Sequence, residues 1–410
     1  MSESEAIGGS AAYRRRGAML LRATLAQNVG TGCMFSGLGV SVMALQGRFG
    51  SSLGTAAMGL SLAVLSMTAL GPAIAGLIGR FGLRMVMTSG VVMSLLGYVV
   101  LAVAPTMALA LAACVLLIGP GGALFGALPP AVLASGWYPG DRGKVMGIAY
   151  LPLFVTAIPL VGVEIIRDHG LTAFYLSLAG LHALLLPLML GIDDPPKEPR
   201  HAPAIADGQR VRIGSAPVVI LGSAVFWFIV LGDGILNGTA IAGSAHMLPI
   251  VSGYGISMDT GALLLSASGA SSILGSLLSG YVCDRVGSSV TLALAAVGFA
   301  SAWLVIALTA WLPALAMASA LIGLCGASVF PPISALVVQV FGFEVLPKVL
   351  GLLGVMTLPF TFAISPAAGW LHDWAGSYEP AFAVLIGTCL LAAATFLGIS
   401  RHLSRTTKPA

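Results

Sequence analysis

The 410 residues are 58% hydrophobic and only 8% charged, with a net charge of +4. A soluble protein of this length would carry about 25% charged residues, so a surface that mostly faces water is excluded. Apolar runs of about 20 residues recur along the chain, the length a helix needs to cross about 30 Å of hydrocarbon, which predicts a polytopic membrane protein with lipid as its main surface partner. No basic patch interleaved with aromatics points to nucleic acid.

The first 17 residues are polar and basic, and no small-residue cleavage site follows the first apolar run, so a removed signal peptide is not expected. The first span is predicted at 18–46 and carries Gln27 and Asn28 in its inner half. The second (53–79) runs through "AGLIGRFGLRMV" (75–86) into the third (83–104), and "AVAPTM" separates that from the fourth (106–135). The fifth (143–166) holds Tyr150, Phe154 and two prolines, Pro152 and Pro159, expected to kink it; Glu164 and Arg167 close it as rim charges. The sixth ends at 191.

There "DDPPKEPRHAPAIADGQRVR" (193–212) intervenes, Pro-rich and polar, and reads as a flexible linker. The seventh span (215–251) contains Asp233, Asn237 and His246. The eighth (258–282) enters "SGYVCDRVGSSV" (279–290), and the ninth (287–309) and tenth (313–340) meet at "TAWLP". The eleventh (346–371) carries Phe360 and Thr361 between Pro359 and Pro366, also expected kinks, and the twelfth covers 377–400.

With the N-terminus inside, this order puts only Arg48 and Arg167 of the 19 Lys and Arg residues on the outer side. The positive-inside rule therefore predicts both termini in the cytoplasm, in an inner or plasma membrane. A shift of 205 positions sets Arg80 on Arg285, Gly82 on Gly287 and Asp168 on Asp373; a shift of 202 to 204 sets Pro129-Pro130 on Pro331-Pro332, Lys144 on Lys348 and Gly147 on Gly351. Such an offset predicts a duplication: six-helix bundles at 1–191 and 215–410, joined by a linker at 192–214. Small residues spaced four apart, as in Gly71-Ala75-Gly79 and Ala267-Ser271-Gly275, allow close helix contact, in ordinary membrane packing as well as in sliding.

The loops between the second and third and the eighth and ninth spans carry Gly79-Arg80-x-Gly82-x-Arg84 and Gly280-x-x-x-Asp284-Arg285-x-Gly287. By these motifs, the repeat and the topology, the chain resembles the major facilitator superfamily over essentially its whole length. "HMLPIVSGYGISMDTGALLLS" (246–266) and "WYPGDRGKVMGIA" (137–149) resemble bacterial relatives of the monocarboxylate transporters within it. The resemblance implies an all-α membrane protein of twelve transmembrane helices in two pseudo-symmetric six-helix bundles, working by alternating access as a monomer. It also implies that Arg80, Arg84, Asp284 and Arg285 form conformational latches. Gly79 stands where Asp284 stands one repeat on, so a carboxylate latch is expected in the second copy only; the alternative is that Asp284 and Arg285 are solvated loop charges.

The chemistry centres on Asp233. It lies about 15 residues beyond Val218, roughly 22 Å along a helix at about 1.5 Å per residue. An ionised carboxylate at that depth costs at least about 2.5–3.5 kcal/mol, so it must face a wet cavity, pair, or hold a proton. Asp233 is predicted to couple transport to a proton. Gln27, Asn28 and Asn237 are expected to hydrogen-bond the substrate; the alternative is a protonated Asp233 bonded to Asn28 simply to tie the halves together. His246, whose side chain titrates in the working range, is a candidate outer gate, second protonation site or interfacial residue. Tyr150, Phe360 and Thr361, with Phe154, are candidates for contact with an apolar substrate body or for core packing.

Five scattered cysteines and six scattered histidines show no metal or disulfide spacing, and there is no phosphate-binding loop or nucleophile elbow. No enzyme activity, cofactor or metal is expected. Two transport readings remain: proton-coupled uptake of a monocarboxylate or similar organic acid, and efflux of drugs or apolar metabolites by proton antiport. A membrane sensor on the same scaffold is the third. The first reading meets a departure, because the intramembrane Lys and the Asp-Arg pair associated with animal monocarboxylate transporters are missing from the first and eighth spans.

Overall fold

The structure is a computed structural model describing residues 3–126, 128–138, 148–194, 220–342 and 345–406. Most of the predicted linker, at 195–214, and the centre of "WYPGDRGKVMGIA", at 139–147 with Lys144 and Gly147, lie outside the described residues. Among the described residues, ten helices are long and apolar enough to cross a membrane, and a pair bent by 52°, Arg14–Val40 with Val42–Phe49, makes one more. The helix Leu153–Leu190, at 38 residues, is far too long for one crossing and is broken at Gly170 (φ 82°), which brings the spans to twelve.

In chain order they are α1 (3–49), α2 (53–81), α3 (83–103), α4 (Met107–Trp137), α5 (153–169), α6 (171–190), α7 (Ala224–Gly253), α8 (Met258–Val286), α9 (Ser288–Leu308), α10 (Leu312–Phe341), α11 (346–375) and α12 (Glu379–Thr406). No strand occurs among the described residues.

The duplication is visible in backbone detail. Gly82 (φ 78°, ψ 161°) turns the chain between α2 and α3, and Gly287 (φ 87°, ψ 158°) does so between α8 and α9. Residues with a Cβ rarely adopt such angles, so glycine is what lets two membrane helices join without a longer loop. At the other end of the same helices, Ser52 caps α2 by accepting from Thr55 N–H, and Ser257 caps α8 by accepting from Thr260 N–H. Each serine sits the same 205 positions from its counterpart, and each satisfies a backbone donor that has no partner within the helix.

Three boundaries differ from the sequence expectation. The first helix begins well before residue 18, at Glu3, since a helix can continue through polar residues beyond the hydrocarbon. In the fifth span the chain does not kink at Pro152 but leaves the helix over Tyr150–Pro152, and α5 starts afresh at Leu153. The seventh helix starts at Ala224 rather than near 215. Pro159 and Pro366 lie inside α5 and α11, while Pro359 sits in the first turn after a break at Thr357, a position where its missing N–H is not needed.

Two π-helical turns interrupt the first half, Gly32–Gly37 in α1 and Cys114–Ile118 in α4. A π turn shifts every later side chain around the helix axis, and the first one sets the direction of Phe35.

Candidate functional site

A cavity of about 420 Å³ lies between the halves. Its polar lining comes mainly from the second half. On α7, Asp233, Asn237 and Ser244 fall on one face by their helical spacing, and α11 adds Thr357 and Thr361. The first half contributes Phe35 from the π turn of α1 and Val64, Met67 and Thr68 from α2, and Phe330 closes a wall from α10. Among the described residues, no Lys, Arg or His is in this lining.

Asp233 is nearly buried, at 8% exposure. Its Oδ1 accepts from Asn237 Nδ2 at 2.9 Å, and the same amide nitrogen lies 2.9 Å from the Asp233 carbonyl. Asn237 thus closes a ring over one helical turn and fixes one carboxylate oxygen.

The other predicted site residues separate into groups. Thr361 lines the cavity and donates to the Thr357 carbonyl. Asn28 is buried; its Nδ2 donates to Thr24 O (3.0 Å), and its Oδ1 accepts from Phe154 N–H (3.1 Å) in the first turn of α5. Both ends of the amide are engaged, and the partner of Asp233 is Asn237 rather than Asn28. Gln27 is buried beside it, with Oε1 lacking a partner among the described residues. Neither Gln27, Asn28 nor Tyr150 is in the cavity lining. Phe360 packs from α11 onto α7, filling the space a side chain at Gly234 would need.

His246 is fully buried towards the Arg167 end of α7, away from the cavity. Its Nε2 lies 2.8 Å from the Ser365 carbonyl and its Nδ1 3.0 Å from Tyr378 Oη. A carbonyl only accepts, so Nε2 carries the proton and Tyr378 donates to Nδ1 in the neutral ring.

The motif residues contact their own half. Arg84 Nε donates to Ile192 O (2.7 Å) and its Nη2 lies 3.3 Å from Asp193 Oδ1. Asp194 accepts from Leu83 N–H at the start of α3 (2.8 Å), Arg22 donates to the Gly191 carbonyl, and Arg15 pairs with Asp193. Arg80 and Arg285 lie over the rings of their neighbours Phe81 and Tyr281. Asp284 makes no ion pair among the described residues.

Tight contacts between the halves gather at the Arg167 end. Arg167 bridges to Asp259 (2.8 Å). Asp373 accepts from the N–H groups of Leu53 (3.2 Å) and Gly54 (3.0 Å). A Cβ at Gly39 of α1 would lie 2.5 Å from the Ser244 carbonyl of α7, so the two helices approach to backbone contact there. These contacts close the two halves on each other at that end.

Phe35, Thr68, Ser244, Phe330 and Thr357 are cavity residues that the sequence reading missed. One signal existed for Phe35: the 205 offset sets it on Ala240, which also lines the cavity.

In sequence, the Major Facilitator Superfamily profile matches residues 25–265 and 234–410, while no curated protein matches. Among solved structures, the chain is similar to a bacterial homolog of the human lysosomal transporter Spinster in an inward-facing and unoccupied conformation (TM-score 0.72, 15% identity, covering 97% of this chain and 99% of that one). It is also similar to the nucleoside transporter NupG (TM-score 0.73, 11% identity, 94% and 99%) and to a D-xylose–proton symporter (TM-score 0.69, 15% identity, 92% and 96%). At these identities the likeness establishes the fold, and the family profile spans nearly the whole chain. The protein is a multi-pass membrane transporter rather than an enzyme, and it belongs to the Major Facilitator Superfamily.

Proposed function

We propose that the protein is a proton-coupled secondary transporter in which residues 1–191 and 215–410 rock about the central cavity and Asp233 is the coupling carboxylate. Asp233 is the one carboxylate in the cavity lining among the described residues, and a buried carboxylate is stable only with a proton, a donor or a cation beside it. Asn237 supplies one donor, which leaves the proton and the solute to exchange at the remaining oxygen. The similarity to a D-xylose–proton symporter accords with proton coupling. With the predicted topology, the closed end faces outward and the structure is inward-facing.

Of the two substrate readings, the cavity favours an apolar or cationic organic solute exchanged against a proton. The single observation that carries this is a lining with a carboxylate, an amide and hydroxyls but, among the described residues, no basic side chain. An anion would meet Asp233 at low dielectric, where like charges repel by several kcal/mol at an effective dielectric of about 20. The monocarboxylate reading is supported by the resemblance of residues 246–266, and it requires Asp233 to hold a proton whenever the acid is bound.

Purified protein in proteoliposomes with an imposed pH gradient separates the two. Lipophilic amines moving against the proton gradient, with no flux of short-chain monocarboxylates, is the expected result. Monocarboxylate flux following the proton would overturn the substrate assignment while keeping the coupling, and solute flux with no proton flux would overturn the coupling.

A further inference from the structure

The two seams that close the Arg167 end are related by the duplication, yet they are closed by different chemistry. Each seam joins the last turn of one helix to the first turn of another in the opposite half: α11 to α2, and α5 to α8. The 205 offset pairs Arg167-Asp168 with His372-Asp373, and Leu53-Gly54 with Met258-Asp259.

At the α11–α2 seam, the Asp373 carboxylate lies directly on the start of α2, with Oδ1 accepting from Leu53 N–H and Oδ2 from Gly54 N–H. These are donors that a helix cannot satisfy internally, and the positive end of the helix dipole favours a carboxylate there. Gly54 makes the approach possible, since the Trp370 indole of α11 occupies the place where a Cβ would stand, and the backbones of Gly54 and Gly369 are in contact. His372 Nδ1 lies 3.6 Å from Asp373 Oδ1, and the His372 ring packs on Tyr378, the partner of His246. The Asp373 side chain is 24% exposed, although the residue as a whole, at the helix end, is exposed.

At the α5–α8 seam, Asp259 stands where α2 has Gly54, so the first turn of α8 already carries a carboxylate and Asp168 cannot dock there. Arg167 bridges them instead, with Nη1 at 2.9 and 2.8 Å from the two Asp259 oxygens and Nε at 2.8 Å from Asp168 Oδ1. Arg167 and Asp259 side chains are 53% and 57% exposed. Exposed pairs of this kind contribute little, because water and salt screen them.

We infer that Asp373 is the gating residue of this end: its contact with the start of α2 holds the halves closed, while the Arg167 bridge is secondary. Part of this inference rests on the alternating-access reading, but the contact and its strength do not.

The test reads the seam directly, on the purified full chain in nanodiscs with Cys283 replaced by Ser. Spin labels at Gly47→Cys and Ala375→Cys, exposed positions at the ends of α1 and α11, report the distance between the halves. Asp373→Asn is expected to raise the long-distance population about threefold to tenfold, as for a partly buried charge at a helix terminus, and Arg167→Gln less than twofold. Gly54→Ala is an independent variant that keeps the carboxylate and displaces Trp370, and it should widen the seam as well. Folding is checked for each by its thermal midpoint and monodispersity. Unchanged distances in both Asp373→Asn and Gly54→Ala, or a larger opening in Arg167→Gln, would overturn the inference. Because no solute is involved, failure of the transport assay leaves this result intact, and the reverse.

Discussion

Asn237 donates to the carboxylate of Asp233 from one turn further along the same helix, at 2.9 Å, so the amide and the acid move together as α7 moves. Asp233→Asn keeps the shape and an acceptor for Asn237 but cannot ionise. It should abolish pH-driven flux in proteoliposomes while leaving the thermal midpoint within a few degrees of wild type. Proton-driven flux at the wild-type rate would remove Asp233 from the coupling role.

Asn237→Ala strips the buried carboxylate of its only side-chain donor. Hydrogen bonds to charged groups are worth about 1.5–3 kcal/mol, so solute affinity should change by about tenfold or more if Asp233 binds the solute ionised. Binding by isothermal titration, compared with Asp233→Asn and the double variant, should show the two losses to be non-additive, as for residues in one network.

Asn28→Ala separates a cap from a ligand. Its Oδ1 accepts from the N–H of Phe154 at the start of α5, and loss of an N-terminal cap costs about 0.5–2 kcal/mol. A lower Tm with little change in KM is the expected pattern. A large rise in KM at constant Tm would restore Asn28 to the substrate.

Phe35→Ala should weaken binding of apolar solutes about tenfold or more, since burying one large side chain is worth about 1.5–3 kcal/mol, and it should affect small hydrophilic solutes little. Equal losses for both classes in competition assays would mean that the ring shapes α1 rather than touching the solute.

Gly39→Ala places a methyl group against the Ser244 carbonyl and should keep α1 from closing on α7. The expected signature is a fall in kcat with KM nearly unchanged, measured as initial rates of flux.

The spans were legible because long apolar runs and inner loops with glycine and arginine are local features. The glycine turns at Gly82 and Gly287 were legible for the same reason. Asp233 and Asn237 were readable as neighbours because a helix fixes what lies one turn apart. Phe35 was signalled only by the offset that sets it on Ala240, because an aromatic in an apolar span carries no mark of its own. Asn28 was read as a ligand because a polar residue deep in a span has to bond something. What it bonds is set by the break at Tyr150–Pro152, which exposes the first N–H groups of α5 only once α1 and α5 have packed. Gly54 and Asp259 fell unremarked in the first turns of the second and eighth spans, and their difference has meaning only when the opposing helix ends are seen.

The polar lining of the cavity belongs, apart from Thr68, to α7 and α11. On the proposed transport cycle, a solute that bonds those helices would be cargo of one half alone, with the other half sliding over it as an oily cover. Cup and lid, rather than two equal jaws, is then the working picture, and substitutions that retune selectivity should fall in the cup.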